Sequence, residues 1–182
     1  MLYKFRRRPD RLKIAVLSSA PSIIEEWEAR KGEGWDLTVG ISTTCWFIDC
    51  DWMAWMDGWA IRGMIERRRT PLIGSLWHAL DFRWAQYIDN AAYPLFDGGE
   101  KSPFTLPNAL NWVLLKWPDA EIEIMGMTLK NGPNVGGNSD MNEVQAVEEL
   151  KWVKRAFSEA LERCLESDRA LSARSSTLQA VL

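Results

Sequence analysis

The chain contains few of the residues that usually carry metal or redox chemistry. Its 182 residues include one histidine, His78, and three cysteines. Cys45, Cys50 and Cys164 are an odd set without the spacing of a metal site, so we expect reduced thiols, no bound metal and a cytoplasmic location. Any acid–base chemistry by an imidazole depends on His78.

The sequence also lacks long apolar runs and the strong catalytic signatures. No stretch approaches the roughly 20 apolar residues that span a bilayer, so we expect no membrane partner. The apolar run at 14–17 is too short for a signal peptide, although it follows a basic start. A Walker A loop, a zinc-protease helix and a nucleophile elbow are all absent. Function must therefore be inferred from where small polar residues fall relative to strands.

The overall composition is that of a globular protein, with 47% hydrophobic and 26% charged residues. We expect 1–182 to form one domain, with 1–10 as a basic, poorly ordered lead-in. Eleven tryptophans suggest that some line a pocket or an interface, the alternative being a tryptophan-rich core with exposed rims. A net charge of −3 argues against a surface that binds nucleic acid throughout, although the arginines at 67–69 form a basic cluster.

The first 30 residues predict a strand, a tight turn and a helix. The apolar, β-branched run at 12–17 is typical of a buried strand, and small residues follow at 18–22. Ser22 is predicted to cap a helix that extends to about Arg30. Backbone amides and the positive end of a helix dipole meet at such a turn, where they can bind phosphate. The alternative is a tight turn of an α/β protein without a ligand.

Strands and helices alternate along the rest of the chain. This pattern predicts an α/β fold, a three-layer Rossmann-like domain with a mostly parallel sheet. Further strands are predicted at 36–42, 51–58, 70–76 and 121–127, with a last short strand within 169–178. Helices are predicted at 43–47, 59–68, 105–117, with Thr105 as the cap, and 141–165. In the last helix an apolar stripe is predicted through Val144, Val147, Leu150, Val153 and Phe157, with Glu148 and Glu149 outside it.

Small polar residues fall at the predicted carboxyl ends of the strands, where open α/β sheets bind their ligands. Asp57 lies at the carboxyl end of the third predicted strand, and its carboxylate can accept hydrogen bonds from ribose, hold a metal or cap a helix. The candidate ligand-binding residues lie at these strand ends, in the loops after them or in the tail: Ser18, Ser19, Ala20, Ser22, Ser42, Gly126, Thr128, Asn138, Ser139, Ser175 and Ser176.

Asp57 and His78 are the candidate catalytic residues. His78 follows the fourth predicted strand, on the side of the sheet that binds ligands. The alternative for His78 is a structural histidine among apolar neighbours. Asp81, Asp89 and Asp97 are other candidate bases, and nothing in the sequence ranks them.

The run from Ile14 to Ser22 resembles the G-x-G-P-S-L loop of a Rossmann-like superfamily. Its members include MptE-like pterin pyrophosphokinases, certain bacterial sialyltransferases and phage proteins of the "norphogenetic" type. The strand ends at Ser42 and Asp57 and the tail at 175–178 are also similar to that superfamily. Two departures stand out: Ser18 and Ala20 replace glycines, and Thr128 stands where the superfamily usually has aspartate.

The resemblance implies a nucleotide-binding transferase, glycosyltransferase-like or pyrophosphokinase-like, whose ligand is a nucleotide or nucleotide sugar. The loop at 18–22, Ser42 and Asp57 would bind the donor, His78 or a nearby aspartate would deprotonate the acceptor, and the loop at 131–140 would close over the site. Two alternatives stay open: a non-catalytic nucleotide-binding or sequestering module, and a nucleic-acid-modifying protein of phage type.

Overall fold

A computed structural model describes residues 11–56, 72–73, 95–127, 132–133, 135, 140–166 and 172–175. Their largest feature is a parallel sheet, which has six strands in the order β4-β3-β2-β1-β5-β8. The strands are β1 (Lys13–Leu17), β2 (Leu37–Ile41), β3 (Trp52–Ala54), β4 (Leu72–Ile73), β5 (Glu121–Met125) and β8 (Ser172–Ser175). Two short strands, β6 (Gly132–Pro133) and β7 (Asp140–Met141), form a separate antiparallel pair.

Helices cover both faces of the sheet. They are α1 (Ile23–Arg30), α2 (Thr105–Lys116) and α3 (Glu143–Glu166), with 3-10 turns at Lys31–Glu33 and Ser42–Trp46. Alternate residues of β1 enter two different cores: Ile14 and Val16 pack with α2 and α3, whereas Ala15 and Leu17 pack with α1 and the turn after β2. The predicted three-layer α/β fold with a parallel sheet is therefore confirmed.

A glycine and two cysteines set the close packing behind β2. A Cβ atom on Gly40 would lie 2.2 Å from the sulfur of Cys45 and 2.6 Å from that of Cys50. All three cysteines of the chain are free thiols, and all three are buried. Only a residue without a side chain fits at this position of the strand.

An ion pair joins α1 to the middle of the sheet. Arg30, the last residue of α1, pairs through its guanidinium with Glu123 of β5. The Glu123 side chain is only 6% exposed, so its charge depends on this partner. Arg30 also binds Glu33 and lies over the ring of Trp35, whose indole N–H donates to the Arg30 carbonyl at 2.9 Å. The end of α1 is thus fixed to the sheet.

Several element boundaries differ from the predicted ones. The third strand is three residues long, not eight, because only Trp52–Ala54 pairs with β2. The cap position of α2 is Phe104 rather than Thr105. The loop before α2 is held instead by the buried side chain of Asn108, which donates to the carbonyls of Ser102 and Phe104 at 2.8 and 2.6 Å.

The predicted stripe of α3 is confirmed at Leu150, Val153 and Phe157, which lie in or against the core, and is wrong in the first two turns of the helix. Val144 and Val147 are 79% and 54% exposed, whereas Glu149 is buried. The residues that face the core are Ala146, Glu149, Val153, Ala156, Glu159, Ala160 and Cys164. Among the helices in the described part of the chain, none combines the length and apolar character needed to cross a membrane.

Candidate functional site

The strand order creates a topological switch point beside β1. β1 pairs with β2 on one side and with β5 on the other, so the chain leaves β1 in one direction and returns on the opposite side. Ligands of open α/β sheets bind in the crevice that such a reversal leaves at the carboxyl ends of the strands. Ser18, Ser42 and Gly126 directly follow β1, β2 and β5, so three of the predicted site residues meet at this edge.

The bend after β1 is bonded to the end of β5. The Ser18 amide donates to the Met125 carbonyl and the Ala20 amide to the Gly126 carbonyl, both at 2.8 Å. These two amides are therefore engaged within the protein. Ser42 is the one non-glycine residue of the described part with a positive φ, so Ser18 and Ala20 replace glycine without backbone strain.

Ser22 occupies the N-cap position of α1 but makes no side-chain capping hydrogen bond. The predicted cap is therefore wrong in this respect. The amide of Ile23 donates to the Ala20 carbonyl at 3.0 Å, which closes the turn through the backbone instead. Since Ser22 is exposed at the start of α1, its hydroxyl faces solvent where the helix dipole is positive.

A carboxylate that the sequence did not single out lies at the centre of this edge. The Gly126 amide donates to Oε2 of Glu26 at 2.9 Å. Gly126 has a φ of +64°, and a Cβ there would lie 2.6 Å from the Cβ of Ile23. Acidic residues in the first turn of a helix usually complement the dipole, so this longer-range bond could not be predicted from the sequence pattern.

The end of β2 carries a local backbone strain. Ser42 has a φ of +49°, a conformation that costs a non-glycine residue about 1–3 kcal/mol. The next hydroxyl, that of Thr43, is buried and has no hydrogen-bond partner within the described residues. Thr44 then donates through Oγ1 to the Ser18 carbonyl at 2.8 Å, which joins this turn to the bend after β1.

The loop predicted to close over the site does contact the bend. The Val135 amide donates to the Ser19 carbonyl at 2.6 Å, and Val135 is buried in the same core as Ile23.

The remaining predicted residues lie at other places. Ser175 is the last residue of β8 and pairs with Ile124. Asp97 lies away from this edge, and its backbone amide donates a hydrogen bond to Oε2 of Glu159 in α3 at 3.1 Å. The other predicted site residues lie outside the described part: Asp57, His78, Thr128, Asn138, Ser139 and Ser176.

One buried acid stands apart from the ion pairs. Glu149, in the second turn of α3, is 6% exposed, and burial raises its pKa from 4.5 to about 7. Glu159, in contrast, is buried against Arg155, whose Nε lies 2.7 Å from Oε1. Sequence periodicity placed Glu149 among the solvated charges, and no local signal distinguishes it from Glu148. A carboxyl group with a pKa near neutrality can carry a proton at physiological pH.

The arrangement offers the exposed hydroxyl of Ser22 at the positive end of α1 and the carboxylate of Glu26, groups suited to binding a polar, multiply hydroxylated ligand, whereas the backbone amides named above are already hydrogen-bonded within the protein. Within the described ranges, no three histidine, cysteine or acidic side chains come close enough to hold a metal ion. Comparison of the chain with protein-family models, curated proteins and solved structures gives no match.

Proposed function

We propose that this chain is a nucleotide-binding transferase that takes a nucleotide-activated donor, such as a nucleotide sugar, at the carboxyl edge of the sheet between β1 and β5. The observation that carries the proposal is the junction of the Ser18–Ala20 bend with Gly126 at the topological switch point. The positive end of α1 and the exposed hydroxyl of Ser22 would meet the phosphates there.

The strain at Ser42 and the buried Thr43 hydroxyl support this location. Backbone strain and unsatisfied polar groups cluster at functional sites, because folding alone selects against them. Both lie at the end of β2, next to the bend through the bond from Thr44 to Ser18. Asp57 and His78 are proposed as the groups that bind the donor and deprotonate the acceptor, and their substitution tests that part separately.

A second candidate, a module that binds a nucleotide without turning it over, is favoured by Thr128, which stands where the loops that this chain resembles carry aspartate. The carboxylate of Glu26 occupies the Gly126 amide, and its negative charge disfavours a phosphate at this point in either candidate. In this case Glu26 would accept hydrogen bonds from ribose hydroxyls rather than share amides with phosphate.

The proposal also includes a reducing, cytoplasm-like compartment, which is supported by the free thiols of Cys45, Cys50 and Cys164.

The deciding experiment is a thermal-shift and tryptophan-fluorescence titration with nucleotides and nucleotide sugars. A true ligand at 100 times its Kd should add about 2.7 kcal/mol to the free energy of unfolding. Donor hydrolysis or transfer in the same samples selects the transferase, and binding without turnover selects the module. If no nucleotide changes the melting temperature or the fluorescence, both candidates fail.

A further inference from the structure

The described residues contain an aromatic cage at the opposite edge of the sheet. Lys116, the last residue of α2, projects its ammonium group among three tryptophan rings. Nζ lies 4.7 Å from the ring centroids of both Trp52 and Trp112 and 5.1 Å from that of Trp117. All three distances are within the roughly 6 Å over which a ring face attracts a cation.

The three rings form walls at different angles rather than a flat stack. Trp52 and Trp112 have centroids 5.2 Å apart and planes at 58°, and Trp112 and Trp117 are also 5.2 Å apart with planes at 89°. Trp112 is 7% exposed and anchors the cage in the core, while Trp52 and Trp117 are half-buried. We name Trp52, Trp112 and Trp117 the tryptophan cage. Its open side faces solvent, because Lys116 itself is exposed.

The lysine ammonium is a poor chemical match for this cage. It carries three N–H donors and is strongly hydrated, and ring faces offer it no conventional acceptor. Within the described part of the chain, the ammonium group of Lys116 makes no hydrogen bond or ion pair, and its contacts are the three rings. A trimethylammonium group has no N–H to satisfy and spreads its charge over methyl groups, which contact ring faces directly. Aromatic cages elsewhere serve such quaternary cations.

We propose that the tryptophan cage is a binding site for a small quaternary ammonium compound of the choline type, and that Lys116 is an internal plug which the ligand displaces. The ammonium group of Lys116 marks the position that the charge of the ligand would occupy. The residues around the charge come from only two places, the end of α2 and Trp52 at the start of β3. Because this surface is small, we expect its ligand to be a free small cation rather than a large partner. The site is independent of the nucleotide proposal, which concerns the carboxyl edge.

The plug predicts a measurable competition. Tethered groups compete at an effective concentration of about the millimolar range, so wild-type protein should bind choline weakly. Lys116→Ala should bind it on the order of tenfold more tightly, since the internal competitor is gone. Lys151→Ala, which removes an exposed lysine of α3 paired with Glu148, is the matched control and should bind as wild type does.

The experiment is a tryptophan-fluorescence and calorimetric titration of the full chain with choline chloride against sodium chloride at equal ionic strength. The neutral isostere 3,3-dimethylbutan-1-ol separates cation binding from apolar burial, and Trp117→Leu removes one cage wall. We expect saturable choline binding that is strengthened by Lys116→Ala, weakened by Trp117→Leu and absent for the isostere. Circular dichroism of each variant confirms that it is folded.

Three results would overturn the proposal. The first is equal binding of choline and the isostere by Lys116→Ala, and the second is no saturable choline binding by this variant while it is folded. The third is binding only of a trimethyl-lysine peptide or of phosphatidylcholine vesicles, since a cage for free cations should bind choline itself. A failed nucleotide titration would leave these outcomes unchanged.

Discussion

The Glu26 carboxylate accepts a hydrogen bond from the amide of Gly126, 100 residues further along the chain. This contact joins the first helix to the end of β5 at the switch point of the sheet. It also places a negative charge where the proposed donor phosphate would bind. Glu26 is therefore the residue whose substitution is most informative about this edge.

Glu26→Gln should strengthen nucleotide binding. Glutamine keeps an oxygen that can accept from the Gly126 amide but removes the charge, and a like charge about 4 Å away costs about 1 kcal/mol in water, or roughly fivefold in Kd. Isothermal titration with a nucleoside diphosphate measures the change. Glu25→Gln, at the exposed neighbouring position, is the control and should have a smaller effect. Equal affinity in all three proteins would mean that no phosphate approaches Glu26.

Gly126→Ala should destabilise the fold. The new methyl group would meet the Cβ of Ile23 at 2.6 Å, and the backbone has a φ of +64°. We expect a loss of about 2–4 kcal/mol in the free energy of unfolding, from strain and overpacking together. Urea denaturation provides the measurement.

Two other glycines separate the contributions to that loss. Gly99→Ala adds backbone strain alone, because the φ of Gly99 is +78° and no atom would lie within 4 Å of the new methyl group. Gly32→Ala adds neither backbone strain nor a close contact. The loss in the free energy of unfolding should therefore increase in the order Gly32, Gly99, Gly126. A Gly126→Ala variant no less stable than Gly99→Ala would contradict the packing against Ile23.

Glu149→Gln should stabilise the protein at alkaline pH. The pKa of Glu149 is about 7 in the folded chain against an ordinary 4.5, so the folded state holds the proton more tightly. The contribution of Glu149 to the free energy of unfolding is therefore fully present below pH 4.5 and is lost as the pH rises through about 7. The amide variant should gain up to about 3 kcal/mol at pH 8.5 and almost nothing at pH 4.5. Glu148→Gln, on the neighbouring half-buried residue, should leave the pH profile unchanged.

Arg30→Met should leave the carboxylate of Glu123 buried without its partner. Removing one member of a buried ion pair costs about 3–5 kcal/mol, and the double variant Arg30→Met/Glu123→Leu should recover most of that loss. Lys31→Met breaks the exposed pair with Glu28 and should change stability by less than about 1 kcal/mol. Thermal and urea unfolding give both values, and additive single and double effects would show that the two side chains are not coupled.

The sequence predicted the sheet well because its central strands are buried on both faces. The apolar run at 14–17 needs no alternation to identify it, and Ile122 and Ile124 mark β5 although Glu123 lies between them. The helix ending near Arg30 is followed by Gly34 with a φ of +79°. The third strand was overestimated because a run of tryptophan and methionine reads as strand throughout, whereas pairing with β2 ends at Ala54.

Long-range partners limited the prediction of sites. The placement of Ser18, Ser42 and Gly126 follows from strand ends alone, and the structure brings them to one edge. Glu26 and Glu149 were missed because a carboxylate in a helix looks solvated until its surroundings are known. The tryptophan cage was missed because Trp52 lies 60 positions before Trp112, and only the packing of α2 beside β3 unites them.

Close packing at Gly40 has a consequence for the evolution of this chain. The sulfurs of Cys45 and Cys50 fill the space that any larger residue at position 40 would need. Because both sulfurs would lie within 3 Å of the new carbon, substitution there is tolerable only after both cysteines have been replaced by smaller residues. In distant descendants, the three positions should therefore vary together, and an alanine at 40 should be accompanied by smaller residues at both 45 and 50.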